Sequence, residues 1–511
     1  MLIQSLEHMD EGASPAFKNV SACKKWLKQL QFTNLSATQA LLREQLAEFD
    51  RYPVRSLERL QVLELLRETV HELQEDCARK IADRPLPLTD AELTTLASLT
   101  GLWQSMAVGY SRCLKAYDEG DKQLKPLGAL LCHRCLMYGG RQIFEYLRAG
   151  YEFDGDQWRQ FHSIYLFAEE KGLLSEKVED EFSDHGRLTT CRFIYLKILF
   201  SCHARVQELS AHQQELLDRW LVLWMDTPTI ERTCAVSRGD APPLAIDPGS
   251  SAGLQPLRQD LLNNPNVRYI PMVPMSKLLR VKTILLQQGQ TPALLGLGDA
   301  GDRLDCIALL NHLHRQWCEP RPQRVAERQG STQEMLLRYG LEDIYSWMAP
   351  QSFDRQRMAY EVPQELWRAE DLSILGARLM RVNKTGARIG INRIVAVQIA
   401  NAWQIASTVW VSVTRTGDLH MGIRFLPGTA TPVIVRSSVK PGEPPAKPAP
   451  GLLLSAVPNL GIPPSLLLPR NLYQLDRAAE LATPAGEKQR IKLKYSVEVG
   501  GDYERVSFLA E

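Results

Sequence analysis

Apolar residues recur at helical spacing from about position 17 to about 235 of this 511-residue chain and at alternating spacing over much of its last third. After Pro53, the residues Leu57, Leu60, Leu63, Leu66, Val70, Leu73, Cys77 and Ile81 follow at steps of three and four with charges between them, the pattern of a helix that buries one stripe. Pro85 and Pro87 stop that helix, because proline has no backbone N–H and its ring collides with the preceding turn. Thr89-Asp-Ala-Glu92 then spells a capping box, in which the hydroxyl and the carboxylate each accept the other residue's backbone N–H. Further helices are predicted over about 92–117, 126–148, 155–171, 188–207 and 210–225, and their short connections predict antiparallel neighbours.

Trp158, Phe161, Tyr165, Tyr195, Trp220 and Trp224 read as interlocking faces of paired helices. The arrangement loosely resembles helical-hairpin repeats of the tetratricopeptide type, without a strict 34-residue signature. Between 236 and 318 the texture changes: Pro243-Leu-Ala-Ile-Asp247 and Val267-Arg-Tyr-Ile-Pro-Met272 read as short strands ahead of a helix over Ser276 to Gln288, and a second helix runs from Asp302 to Trp317. Gly296-Leu-Gly-Asp-Ala-Gly301 has GxGxxG spelling, but a helix precedes it where a dinucleotide fold needs a strand, so it reads as a helix-start loop.

From about 373 the period becomes two, with alternation over 377–380, 387–391, 393–399, 404–413, 419–425 and 433–435. Six short strands broken by polar turns predict a small antiparallel barrel. A helical segment is expected over about 332–348. The run Lys440-Pro-Gly-Glu-Pro-Pro-Ala-Lys-Pro-Ala-Pro450 reads as a linker or long hairpin, and four further strands follow it. The fold class predicted is α+β and multidomain: an N-terminal all-α helical-hairpin array over 1–235, a mixed α/β connector over 236–318, a barrel with a preceding arginine segment and inserted helix over 319–437, a Pro-rich linker over 438–450, and a β extension over 451–511.

A formal net charge of +1 predicts no bulk attraction to nucleic acid or to an acidic membrane. Neither a leader-like N-terminus nor an apolar run of spanning length occurs, so a cytoplasmic protein without stable membrane insertion is expected. The ten cysteines form no disulfide framework. Cys132-His-Arg-Cys135 has metal spacing but lacks a second ligand pair and lies in a helical pattern, which reads as buried thiols and no metal. No HExxH, GxSxG or P-loop spelling occurs and no histidine has a paired nucleophile, so no enzyme is predicted.

The remaining chemistry lies around the first barrel. Arg324-Val-Ala-Glu-Arg328 has RxxxR spacing, with Arg321 beside it; Thr408-Val-Trp410 and Met421-Gly-Ile-Arg-Phe425 lie on later strands. On these residues, 319–437 resembles a PilZ domain, the barrel many bacterial proteins use to bind cyclic di-GMP. The family's D/NxSxxG element is sought in Arg381-Val-Asn383-Lys-Thr-Gly386. With Gly386 on the motif glycine, Asn383 takes the serine position and Arg381 the acidic one; placing Asn383 on the acidic position and Thr385 on the serine loses the glycine spacing. Ala406 stands where a strand glycine is usual.

The resemblance implies cyclic di-GMP as ligand, its phosphates clamped by Arg324 and Arg328, with Arg321, Arg381, Asn383 and Gly386 completing the site. Paired guanidiniums suit phosphate oxygens and guanine edges, and an amide at 383 keeps both a donor and an acceptor. The expected function is a non-catalytic effector in which nucleotide binding orders the arginine segment and alters how the helical region is presented to an unidentified protein partner. The alternative is a degenerate barrel that binds no nucleotide and serves as a protein-interaction scaffold.

Overall fold

The computed structural model describes residues 9–511 except 11, 183–187, 236, 238, 263, 320–328, 351–362, 401 and 438–447. Two units are separable, one of residues 1–84 and 88–323 and the other of 85–87 and 324–511.

The first unit is helical. It contains α1 (Val20–Leu27), α2 (Leu35–Arg51), α3 (Ser56–Ile81), α4 (Asp90–Asp118), α5 (Gly128–Arg148) and α6 (Gly155–Glu170). The short strands β1 (Val178–Glu179) and β2 (Leu188–Thr189) follow, then α7 (Cys191–His203) and α8 (Ala211–Trp224). Side chains of Asn19, Asn34, Asp154 and Thr190 each accept a first-turn backbone N–H, and Thr89 and Ser210 form full capping boxes. The predicted stripe of α3, from Leu60 to Ile81, is buried. The helix expected from 188 starts at Cys191 instead, because Leu188 and Thr189 pair with β1 and the Thr190 hydroxyl caps the helix.

After α8 come β3 (Leu244–Ile246), β4 (Gln255–Pro256), α9 (Gln259–Leu262), β5 (Arg268–Ile270), α10 (Val273–Gln287) and α11 (Arg303–Trp317), with sheet order β4-β3-β5. Gly296 and Gly298 have positive φ in the turn that leads to α11, which Asp302 caps. The GxGxxG spelling is thus a turn between helices.

The centre of this unit holds paired charges. Arg134 donates to both Glu64 oxygens, at 3.0 and 3.2 Å, and Arg67 pairs with Asp180. Tyr110 donates to Glu64 at 2.6 Å, and His133 meets the Thr189 hydroxyl at 2.7 Å. Cys132 and Cys135 are buried within α5, and burial pushes the Cys135 thiol up to about 12. Among the described residues no helix is long and apolar enough to cross a membrane, and no cluster of His, Cys, Asp and Glu could hold a metal ion.

The second unit contains β6 (Gln329–Gly330), β7 (Glu334–Tyr339), α12 (Leu341–Met348), β8 (Glu365–Ser373), β9 (Gly376–Arg381), β10 (Ile394–Ile399), β11 (Ala402–Val413) and β12 (Leu419–Phe425). The order β8-β7-β10-β11-β12-β9 is closed by β8–β9 pairing, and β6 adds to β8 as a short edge. Two expectations change here. The segment 332–348 is helical only in its second half, because β7 pairs with β8 and β10, which buries Met335 and Leu337. Residues 387–391 form no strand; only Ile389 makes an isolated bridge, to Leu86.

A second closed barrel follows: β13 (Ala430–Ser437), β14 (Ala449–Leu454), β15 (Ser465–Leu468), β16 (Ala478–Ala482), β17 (Lys488–Val499) and β18 (Glu504–Ala510), in the order β13-β14-β15-β18-β17-β16. The residues expected as a β extension therefore enclose a core of their own, with Val433, Leu466, Leu481, Ile491 and Val506 inside. Residues 430–437, expected in the first barrel, supply a strand of the second, since Val433 and Val435 pack into that core. The Pro-rich stretch joins two adjacent antiparallel strands, and Ala449 and Pro450 are already in β14; residues 438–447 lie outside those described. The α+β architecture of a helical N-terminal region and C-terminal antiparallel barrels stands.

The barrels share apolar contacts. Leu341, Ile344 and Tyr345 of α12 pack with Ile394 and Ile405 of the first barrel and Leu452, Leu467 and Tyr503 of the second. The Asp502 carboxylate accepts from Leu341 N at 3.3 Å and Ile394 N at 3.1 Å, and its burial raises its pKa.

Candidate functional site

Asp371-Leu-Ser373-Ile-Leu-Gly376 forms the end of β8 and the turn into β9. The Ser373 hydroxyl donates to Gly376 O at 3.1 Å and accepts from Leu375 N at 3.3 Å, while Asp371 Oδ1 accepts from Arg378 N at 3.1 Å. These bonds set the turn. Glycine is required at 376: a Cβ there would lie 2.1 Å from Ile423 O, where β9 and β12 approach.

Cross-strand register puts Asp371 opposite Arg378, Arg378 opposite Gly422, and Gly422 opposite Trp410. The neighbouring row runs Ser373, Gly376, Arg424 and Ser407. Residues directly opposite share a face, so all of these belong to one outer face. Ala377, Leu379 and Ile423 between them are buried.

Because Gly422 has no side chain, the Trp410 indole lies across it; a Cβ would be 2.2 Å from Trp410 Nε1. The Arg378 guanidinium is 6.0 Å from the Trp410 ring centre and its Nε is 2.5 Å from Glu370 Oε2, which also meets His420 Nδ1 at 3.2 Å. Arg424 reaches Ser407 Oγ at 3.4 Å and pairs with Glu498. The side chains of Arg378 and Arg424 remain 48% and 53% exposed, so two cations stand half open to solvent beside an indole, a carboxylate and a hydroxyl.

Edge strand β6 borders this face, with Gln329 opposite Leu372 and Gly330 opposite Asp371. Arg321, Arg324 and Arg328 lie outside the described residues; the described chain resumes at β6, beside Asp371.

The other sequence-predicted residues lie toward the far end of β9. Along β9, residues 376, 378 and 380 share the outer face, while 377, 379 and 381 point inward. Arg381 is one of the inward residues: its Nε is 3.2 Å from Glu365 Oε2, it donates to Ala387 O, and it stacks over Trp367 at 5.3 Å. Glu365 also accepts from the Tyr339 hydroxyl at 3.0 Å and from Ala387 N, and burial beside that carboxylate pushes the Tyr339 phenol far up. Gly386 is needed next to this cluster, since a Cβ would lie 2.5 Å from Glu365 Oε1; Asn383 sits in an exposed bend. Arg381 lies five residue steps along the strand from Gly376, about 16 Å. The structure therefore does not bring Arg381, Asn383 and Gly386 to the hairpin that carries Asp371 and Ser373. The signal missed was the spelling itself: Asp371, Ser373 and Gly376 satisfy D/NxSxxG in full, one strand earlier, in a stretch where no strand was expected before 373.

Two family models match this chain. The N-terminal domain of the cyclic-di-GMP receptor FimW matches residues 21–233, and the FimW C-terminal β-barrel domain matches residues 433–510. Both matches are to domains of FimW. The second match coincides with the closed barrel from β13 to β18. A curated relative, the cyclic-di-GMP receptor FimW of Pseudomonas aeruginosa, is 25% identical over 253 residues, 45% of this chain and 40% of that protein. The match thus spans well under half of the relative's length. Among solved structures, MrkH, described as a c-di-GMP-dependent transcription regulatory factor, aligns over 37% of this chain and 91% of that one at 10% identity and a TM-score of 0.14, too low to support a likeness of fold.

Proposed function

We propose that this protein is a non-catalytic cyclic di-GMP effector of PilZ type whose ligand lies on the outer face of the first barrel, between the Asp371–Gly376 hairpin and the arginine segment Arg321, Arg324 and Arg328. The observation that carries this reading is the hairpin: a complete DxSxxG element with its serine and aspartate hydrogen-bonded into the turn, next to the edge strand that directly follows Arg324-Val-Ala-Glu-Arg328. The likeness to a protein named as a cyclic-di-GMP receptor supports it.

The chemistry follows from the ligand. Two phosphates take charge-assisted, bidentate hydrogen bonds from Arg324 and Arg328. A carboxylate at 371 accepts the N1–H and N2–H donors of guanine, a role Arg381 lacks the acceptors to fill. Gly376 lets the backbone come close to the ligand. Clamping by arginines that precede β6 favours a closed arrangement of that segment, and this differential affinity is what would pass a signal to a protein partner of the helical unit.

Isothermal titration of the full chain with cyclic di-GMP tests the reading, with Arg324→Ala/Arg328→Ala, Asp371→Ala and Asn383→Ala variants. Saturable binding lost in the first two and kept in the third is expected. Absence of binding to the wild-type protein overturns it and leaves the nucleotide-independent scaffold; loss through Asn383→Ala moves the site to the 382–393 loop.

A further inference from the structure

The outer face that carries the candidate nucleotide site runs up to the second barrel. On β12, Arg424 stands directly opposite Gly376 of the Asp371–Gly376 hairpin, and Phe425 N donates to Leu375 O at 2.9 Å, so the hairpin and this part of β12 are fixed together. Ser407 lies opposite Arg424 on β11 and is buried although it belongs to an outer face. The border is close by: Ile405 and Leu426, two residues along from Ser407 and Arg424, pack with Leu452, Leu467 and Tyr503 of the second barrel.

At this border Arg424 pairs with Glu498 of β17. Glu498 also accepts from the Tyr503 hydroxyl at 2.6 Å and stands opposite Arg505 of β18. The same end of the β17–β18 hairpin is anchored to the first barrel without Arg424, since Gly501 N donates to Asn392 O and the Asp502 carboxylate accepts from Leu341 N and Ile394 N. The Arg424 side chain is half exposed, and an ion pair so open to water contributes little, because solvation and side-chain entropy offset the attraction. A phosphate offers the same guanidinium two charge-assisted hydrogen bonds. Once released, Glu498 keeps the Tyr503 hydroxyl and has Arg505 across the strand pair, so the exchange strands no buried charge.

We propose that Arg424 is a further ligand residue of this site, exchanging Glu498 of the second barrel for a phosphate oxygen of the nucleotide when it binds. The inference rests on the reading of the outer face as a cyclic di-GMP site. Glu498 then competes with the ligand, and the second barrel tunes the affinity of the first. By linkage, nucleotide binding weakens the Arg424–Glu498 tie by the same factor. Arg378 on the same face is held by Glu370 of its own barrel, so the coupling between barrels falls on Arg424.

The test is isothermal titration of the full chain with cyclic di-GMP, using the wild type, Glu498→Gln, Arg424→Gln and the double variant. Glu498→Gln is expected to tighten binding by about two- to fivefold, the range an exposed pair is worth. Arg424→Gln is expected to weaken it by about tenfold or more, through loss of a charge-assisted bond. With Gln at 424, Glu498→Gln should have no further effect. That arm separates exchange from the mere removal of a negative charge near an anion. Unchanged thermal unfolding establishes that the variants are folded; should Arg424→Gln not fold, Arg424→Met takes its place in the cycle with the same expectations. Affinity unchanged or lowered in Glu498→Gln, equal tightening with and without Arg424, or wild-type affinity in Arg424→Gln each overturns the proposal. A wild-type protein that does not bind the nucleotide overturns the cyclic di-GMP reading itself, whereas binding that is lost in Arg324→Ala/Arg328→Ala but indifferent to Arg424 and Glu498 overturns this inference alone.

Discussion

Replacing Arg381 with Met removes the cation from a carboxylate that the fold has otherwise enclosed. The side chains of Arg381 and Glu365 are 3% and 15% exposed, and once the guanidinium is gone the donors left to Glu365 among the described residues are neutral: the Tyr339 hydroxyl, the Trp367 indole N–H and Ala387 N. Breaking a buried pair from one side costs about 3–5 kcal/mol, because the surviving charge is left uncompensated. Methionine refills part of the volume over Trp367, so the cost is electrostatic more than steric. At about 2–4 °C per kcal/mol for a unit of this size, the barrel transition should fall by roughly 6–20 °C. Scanning calorimetry of the full chain measures this, and adding Glu365→Gln should recover much of the loss, since the charge that had lost its partner is removed as well. Below the melting transition, cyclic di-GMP affinity should be unchanged. An Arg381→Met protein that melts like the wild type, or one that stays folded yet loses the nucleotide, would refute the assignment of Arg381 to the interior.

Gly422→Ala puts a methyl group where the Trp410 indole lies, with a contact of 2.2 Å to be relieved; overpacking of this kind costs about 1–3 kcal/mol and should change the tryptophan emission, whereas Gly390→Ala, whose nearest neighbour would be 3.7 Å away, should be close to neutral. In the helical unit, burial pushes the imidazoles of His71 and His133 down to about 3, with nearby arginines acting in the same direction. Between about pH 6.5 and 3 the unfolded chain binds these protons and the folded one does not, so stability falls as pH falls through that window, by at most about 1.4 kcal/mol per unit for each histidine. Urea midpoints across that range should show the slope and His71→Phe should reduce it; a flat profile counts against the buried neutral histidines.

Local rules accounted for the helical half. Thr89 and Glu92 carry their own N-terminal cap, the three-and-four spacing from Leu60 to Ile81 needs only a neighbour of any kind to bury it, and Pro85 and Pro87 stop a helix wherever it packs. The barrels were less legible, since a strand is stabilised by partners distant in sequence. Glu365–Ser373 has too weak an alternation to be recognised, because its register shifts between Ala369 and Asp371, and that bulge hid the hairpin with the complete DxSxxG spelling. The 332–348 segment differs from the single helix expected because its first half alternates, with Met335 and Leu337 buried.

Spacing over a few residues was enough to set the two-part character of this protein, the helix ends and the strands with clean alternation. Tertiary structure alone decided which barrel takes residues 430–437, that Arg381 serves Glu365, and that Arg378, Arg424 and Trp410 stand on the same face as Asp371 and Ser373. Those outcomes depend on which strands lie side by side, and a shift of one residue in pairing reverses the face that every side chain occupies.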